Sequence, residues 1–162
     1  MNISQDLWKH LATSLKGTVN APVNQRPPDF DYLSTDTRTL HGSDETLAHT
    51  VFIALRGPRN DGHAHVAAAA TAGVRGFILA SDWSGEDPEG HVLRVPNTLA
   101  ALQALGRTAR LSRSGKVVGI TGSNGKTTVK EWAHALTPSA HRISKSPGSW
   151  NSQVGVPLSL WG

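Results

Sequence analysis

Residues 119–128, Gly-Ile-Thr-Gly-Ser-Asn-Gly-Lys-Thr-Thr, combine a glycine-rich turn with one lysine and adjacent hydroxyls. That set suits phosphate chemistry. Backbone N–H groups of such a turn, and the positive end of a helix that follows it, both favour phosphate oxygens. Gly122 and Gly125 would let the backbone approach a phosphate, with Ser123 and Asn124 between them. Lys126 would pair with the β- and γ-phosphates of ATP as the catalytic cation. The Thr127 hydroxyl would ligate Mg²⁺, and Thr128 would bond a phosphate or cap the helix. The common pattern G-x-x-x-x-G-K-[ST] fails at its first glycine, where this chain has Ile120. What remains is the shorter G-x-x-G-K-T-T, Gly122 to Thr128. A tight strand–helix turn with an incidental lysine would read the same way.

Two further groups could hold a ligand. Asp36 and Arg38 sit in Ser34-Thr35-Asp36-Thr37-Arg38. Taken alone they suit first a surface ion pair worth ~0–1 kcal/mol; a phosphate is the other reading, because a guanidinium fork binds oxygens bidentately. Asp61-Gly62-His63 reads as a turn and helix start with Asp61 as cap, and equally as a ligand contact. His63 and His65 stand two apart, which does not put both on one helix face. With no cysteine and no suitably spaced carboxylates, a zinc site is not expected.

The elements that must position these groups follow from periodicity. Ile3, Leu7, Leu11 and Leu15 recur every four residues behind Ser4, which predicts a capped amphipathic helix. Residues 17–31 hold three prolines and read as loop. Apolar runs at 51–55, 77–80 and 92–95 read as buried strands, and His63–Ala72 as a helix stopped by Gly73. Asn97 caps a helix carrying Leu99, Leu102 and Leu105, which Gly106 weakens. Polar residues 107–115 form a seam. A strand at 116–121, a helix at 126–136 and a strand around His141-Arg142-Ile143 complete a phosphate-loop unit. Alternating strands and helices predict an α/β fold.

Composition narrows the classes. Sixteen Lys and Arg against twelve Asp and Glu give a formal charge of +4, spread without a basic block. That suits phosphorylated ligands and argues against a nucleic-acid partner. Hydrophobic residues make up 38% of the chain, enough for a core, yet no apolar stretch approaches the ~20 residues of a membrane span. The first 16 residues lack a signal-peptide pattern. A cytoplasmic protein is expected.

The shortened loop, preceded by Thr121, resembles that of the Mur ligase superfamily, which also includes the folylpolyglutamate synthases. Three more segments carry the resemblance. Ser34–Arg38 is similar to the family's D-S-R signature, with Thr37 in place of serine. Residues 51–65, VFIALRGPRNDGHAH, resemble its F-x-A-x-x-G-x-x-x-D-G-H segment. Residues 145–161, KSPGSWNSQVGVPLSLW, resemble the branch that joins D-alanyl-D-alanine to UDP-MurNAc-tripeptide, closest in wording to the form fused to an alanine racemase.

The resemblance implies a UDP-substrate-binding α/β domain over 1–110 and the start of a phosphate-loop ATPase domain over 111–162. It places Ser34, Thr35, Asp36, Arg38, Asp61, Gly62 and His63 near the uridine diphosphate. Asn151, Ser152 and Gln153 match the family's substrate-facing turn, although a plain polar loop fits them too. The implied reaction uses ATP and Mg²⁺ to phosphorylate the tripeptide carboxylate, which the amine of D-alanyl-D-alanine then attacks. The family's magnesium-binding glutamate and histidine, its modified lysine and its adenine contacts fall beyond Gly162. The 162 residues alone are therefore expected to lack ligase activity. Residues 1–106 are expected to fold independently, and the tail from 116 to be partly unordered or to associate through apolar surface. Trp132 reads as core rather than an adenine platform, with Trp150 and Trp161 facing the rest of the enzyme. A sibling ligase, a folylpolyglutamate synthase and an inert nucleotide-binding module remain alternatives.

Overall fold

In the computed structural model, residues 3–21, 29–58, 60–138 and 143–162 are described. Five strands form one sheet: β1 (Thr18–Asn20), β2 (Tyr32–Ser34), β3 (Thr50–Ile53), β4 (Gly76–Ala80) and β5 (His91–Val95). Their order is β1-β5-β4-β3-β2. Strands β2 to β5 run parallel, and β1 lies antiparallel to β5.

Strands β3, β4 and β5 read as largely apolar runs because both faces are covered. Val51, Ile53, Ile78, Leu93 and Val95 face one core, and Phe52, Phe77, Leu79 and Val92 face the other. Helix α1 (Gln5–Ser14) and α4 (Thr98–Leu111) cover the first face. Ser4 caps α1 and Asn97 caps α4, as their spacing predicts. The second face meets α3 (Val66–Thr71), whose alanines allow a thin layer. A short helix, α2 (Asp44–Ala48), precedes β3.

Several sequence expectations are corrected. Residues 107–111 belong to α4, because Ala109 extends the buried stripe of Ala101, Leu102, Leu105 and Gly106. The loop read at 17–31 contains β1, an exposed three-residue edge strand with little apolar pattern. No strand forms at 116–121; Val118 is 82% exposed. An apolar extended segment becomes a strand only where a neighbour takes its backbone groups, and no described strand pairs with it. Of the strand expected at 141–143, residues 141 and 142 lie outside the described residues. Helix α5 (Lys126–Leu136) forms where expected but buries no residue. Trp132 on it is 64% exposed and is not core here.

The last helix, α6 (Gly155–Trp161), returns to the first sheet face beside α4. Trp161 is buried in that core, not turned outward, and its indole N–H donates to the Asp31 carbonyl at 2.9 Å. Gly106 is explained by the same packing. A Cβ there would lie 2.7 Å from the Pro157 Cα, so only glycine allows the two helices this close.

Candidate functional site

The parallel strands end at Ser34, Ile53, Ala80 and Val95. The chain leaving β2 and β3 at that carboxyl edge carries Ser34 to Arg38 and Asp61 to His63, the usual ligand position in open α/β sheets.

Beyond β2 the chain turns tightly. The Ser34 hydroxyl donates to the Asp36 carbonyl at 2.9 Å and accepts the Asp36 N–H at 3.2 Å. Thr39 donates to the same carbonyl at 2.7 Å. The Asp36 carboxylate accepts the Arg38 N–H at 2.9 Å and caps the single 3₁₀ turn over Thr37–Thr39. Arg38 grips that carboxylate through Nε at 3.0 Å and Nη2 at 2.6 Å. The Arg38 guanidinium and then its N–H hold the Asp36 carboxyl down to about 2; His65 adds to the pull. Arg38 itself is 87% exposed, which leaves its Nη1 edge toward solvent.

Beyond β3, Gly57 and Asn60 close a hairpin-like loop that returns at Asp61. Gly62 passes so near Leu55 that a Cβ would stand 2.8 Å from its backbone nitrogen. His63 is buried and both ring nitrogens are engaged. Nδ1 donates to Asp61 Oδ1 at 2.5 Å, and Nε2 accepts the Ala80 N–H at 2.9 Å. This fixes the tautomer and ties the β3 loop to the end of β4. Hydrogen bonds from the His63 N–H and ring hold the Asp61 carboxyl below the usual carboxylate range.

Five residues that the sequence reading passed over complete this edge. Arg56 lies 3.4 Å from Asp61 and donates to Asp82 at 2.8 Å. Trp83 packs on His63 at a 35° tilt, with ring centroids 5.4 Å apart. Arg94 lies 5.3 Å over Trp83 and pairs with Asp87 at 2.7 Å. Arg56 falls inside the segment quoted for the family resemblance and was visible there. Asp82, Trp83 and Arg94 become a group only once β4 and β5 pair. A cleft of about 520 Å³ opens beside them, lined by Val66, Ala70, Trp83, Glu86 and Pro88.

The phosphate turn is a separate, exposed element. Gly122 (φ 149°) and Gly125 (φ 77°) take backbone conformations that suit glycine. Gly125 opens α5 with no side-chain cap, so the first-turn N–H groups face outward. Ser123, Asn124, Thr127 and Thr128 are exposed. The Lys126 ammonium folds back onto the carbonyls of Gly122 and Ser123. An uncapped helix start with a lysine over it and a hydroxyl on its first turn fits a phosphate–magnesium group. The strand expected to carry this turn is the part not formed. Of the 151–153 turn, all three residues are exposed, and the Ser152 hydroxyl accepts the Gly155 N–H at 2.9 Å to start α6.

No family model matches the sequence. Over 94% of its length it is 37% identical to the UDP-N-acetylmuramoyl-tripeptide–D-alanyl-D-alanine ligase (MurF) of Bacillus subtilis. The same ligase of Synechocystis is 33% identical over 96% of the chain. The structure superposes on MurF of Acinetobacter baumannii with TM-score 0.75 and 28% identity over 99% of the chain. The chain is a homologue of the MurF ligases. It spans 32% of the length of the Bacillus relative and 33% of the solved Acinetobacter MurF. MurF of Thermotoga maritima, solved with ADP, matches 80% of this chain with TM-score 0.65 and 30% identity. No helix among the described residues is long and apolar enough to cross a membrane.

Proposed function

We propose that the chain is the substrate-gripping part of a MurF-type ligase, which joins D-alanyl-D-alanine to UDP-MurNAc-tripeptide at the expense of ATP. Residues 1–110 form the UDP-substrate domain, and 111–162 begin the ATP-binding domain. The observation that carries the reading is the uncapped start of α5 behind left-handed Gly125, with Lys126 and Thr127 on its first turn. Its support is the MurF likeness, which includes a relative solved with ADP.

Residues 122–128 take the nucleotide phosphates. Lys126 leaves the carbonyls of its own turn, a soft partnership, and moves onto the β- and γ-phosphates. Thr127 would hold a magnesium ion, which would supply further charge neutralisation there. Ser34, Thr35, Asp36 and Arg38, with Asp61, Gly62 and His63, hold the UDP end. In that edge Arg38 offers its solvent-facing Nη1, while Asp61 and His63 keep the loop and Arg56 in place. Asn151, Ser152 and Gln153 face the muramoyl-peptide part.

The chemistry these contacts serve balances simply. A tripeptide carboxylate oxygen bonds to the γ-phosphorus and ADP leaves. The amine of D-alanyl-D-alanine then attacks the acyl carbon, phosphate leaves, and the amide forms with loss of a proton. Positioning and charge neutralisation are what protein groups add to such a transfer. The reading makes the protein cytoplasmic, with small-molecule partners rather than nucleic acid.

A chimera tests this directly. The matching third of the Bacillus ligase is replaced by this chain, and ATP-dependent formation of UDP-MurNAc-pentapeptide is measured. The expected result is turnover that Lys126→Ala abolishes. A folded chimera without turnover, or one indifferent to Lys126→Ala, contradicts the reading.

A further inference from the structure

Helix α6 lies after the phosphate turn in sequence yet packs with the sheet that precedes it. Three contacts fix its direction. Pro157 meets Gly106. Arg113 Nη2 donates to the carbonyls of Trp161 at 3.0 Å and Gly162 at 3.1 Å, a cation on a helix C-terminus. The Trp161 indole N–H bonds to Asp31, just before β2 begins. Position 157 is therefore beside 106, and 161–162 beside 113. The two helices run the same way.

Helix α4 starts at Asn97, where β5 leaves the carboxyl edge of the sheet, and runs back toward the opposite edge. A parallel α6 has its C-terminal end near Asp31 at that opposite edge. Its N-terminal end points to the carboxyl edge. From Gly106 back to Asn97 is roughly 13 Å of helix, and from Pro157 back to Gln153 roughly 6 Å along the same direction. The turn Asn151–Gln153 is thereby aimed at the end of the sheet that carries Asp36, Arg38, Asp61 and Arg56.

We infer that α6 is a clamp: Gly106, Arg113 and Trp161 are positioning residues that hold the Asn151–Gln153 turn facing the nucleotide-sugar edge of the sheet. The turn then moves with the UDP-substrate domain, although it follows the phosphate turn in the chain. Val154 and Leu158 pack on the same core beside Trp161, so the clamp has an apolar seat as well as polar ends. The inference rests on the proposed role of that turn in binding the substrate.

Its test separates the two claims. The 162-residue chain, Gly106→Ala, Trp161→Phe, Trp161→Ala and the pair Asn151→Ala/Gln153→Ala are compared. Amide exchange is read by segment, and UDP-MurNAc-tripeptide and UDP binding by calorimetry. The clamp predicts that Gly106→Ala and Trp161→Ala loosen amides 154–161 while those of β3 and β4 stay protected. It predicts that both weaken UDP-MurNAc-tripeptide roughly tenfold, about 1.4 kcal/mol, as the turn variant does, with UDP binding nearly unchanged. Trp161→Phe keeps a ring in the core and loses less. Loosened amides with unchanged tripeptide binding, while the turn variant weakens it, overturn the clamp alone. A turn variant without effect overturns the substrate role of the turn. Unchanged exchange at 154–161 in Trp161→Ala overturns the docking itself.

Discussion

His63→Leu is the sharpest single test of how the carboxyl edge is built. The imidazole bonds at both nitrogens, to the Ala80 N–H and to Asp61, while its ring lies under Trp83. Leucine keeps the apolar contact and removes both bonds. The Ala80 N–H is buried and loses its partner, which costs ~1–3 kcal/mol. The bond to half-exposed Asp61 adds ~0.5–1.5 kcal/mol, for a total of ~2–4 kcal/mol. For a chain this long that lowers Tm by roughly 5–15 °C. Asp61→Asn is the control, since its Oδ1 still accepts from His63 and the Ala80 bond stays in place, so it should cost far less. Urea unfolding at neutral pH followed by far-UV circular dichroism measures both. A loss below ~0.5 kcal/mol for His63→Leu, the range of ordinary surface changes, refutes the claim that this ring pins the β3 loop to β4.

Asp36 should titrate near 2 in a carboxyl-detected NMR experiment, against an ordinary value of 3.8. Because the folded value is the lower one, the Asp36–Arg38 contribution is complete above the ordinary value and fades as pH falls toward 2; Arg38→Ala should return the midpoint upward. Gly62→Ala forces a Cβ to 2.8 Å from the Leu55 backbone nitrogen. Backbone cannot swing aside as a side chain does, so a loss of ~1–3 kcal/mol is expected in the same urea assay. Lys126→Ala should leave Tm within about 1 °C, since among the described residues the lysine bonds to its own exposed turn. It should also abolish the amide shifts that ADP causes at 122–128, and a large Tm loss would show the lysine to be structural.

The central strands were legible because burial on both sheet faces makes their sequence uniformly apolar. Helices α1 and α4 were legible from their caps, Ser4 and Asn97, and from leucines spaced four apart in the first and three apart in the second. Strands β1 and β2 were not, since three-residue edge strands such as Thr18–Asn20 carry too little pattern to separate from loop. The 116–121 run misled for the opposite reason: its apolar residues suit a strand, but a strand needs neighbours that no local pattern reports. Gly106 looked like a weakness in a helix and is a docking point, which only the partner Pro157 reveals. In the site, Asp36–Arg38 and Asp61–His63 were visible as short motifs, whereas Arg56–Asp82 and Trp83–Arg94 depend on pairing across strands.

The most direct measurement is an amide-resolved titration of the chain with UDP-MurNAc-tripeptide. The account predicts that shifts concentrate at 34–38, 56–65 and 151–153, and that ADP with magnesium moves 122–128 instead. Shifts confined to the cleft between α3 and residues 83–88, or none at saturating ligand, would contradict it.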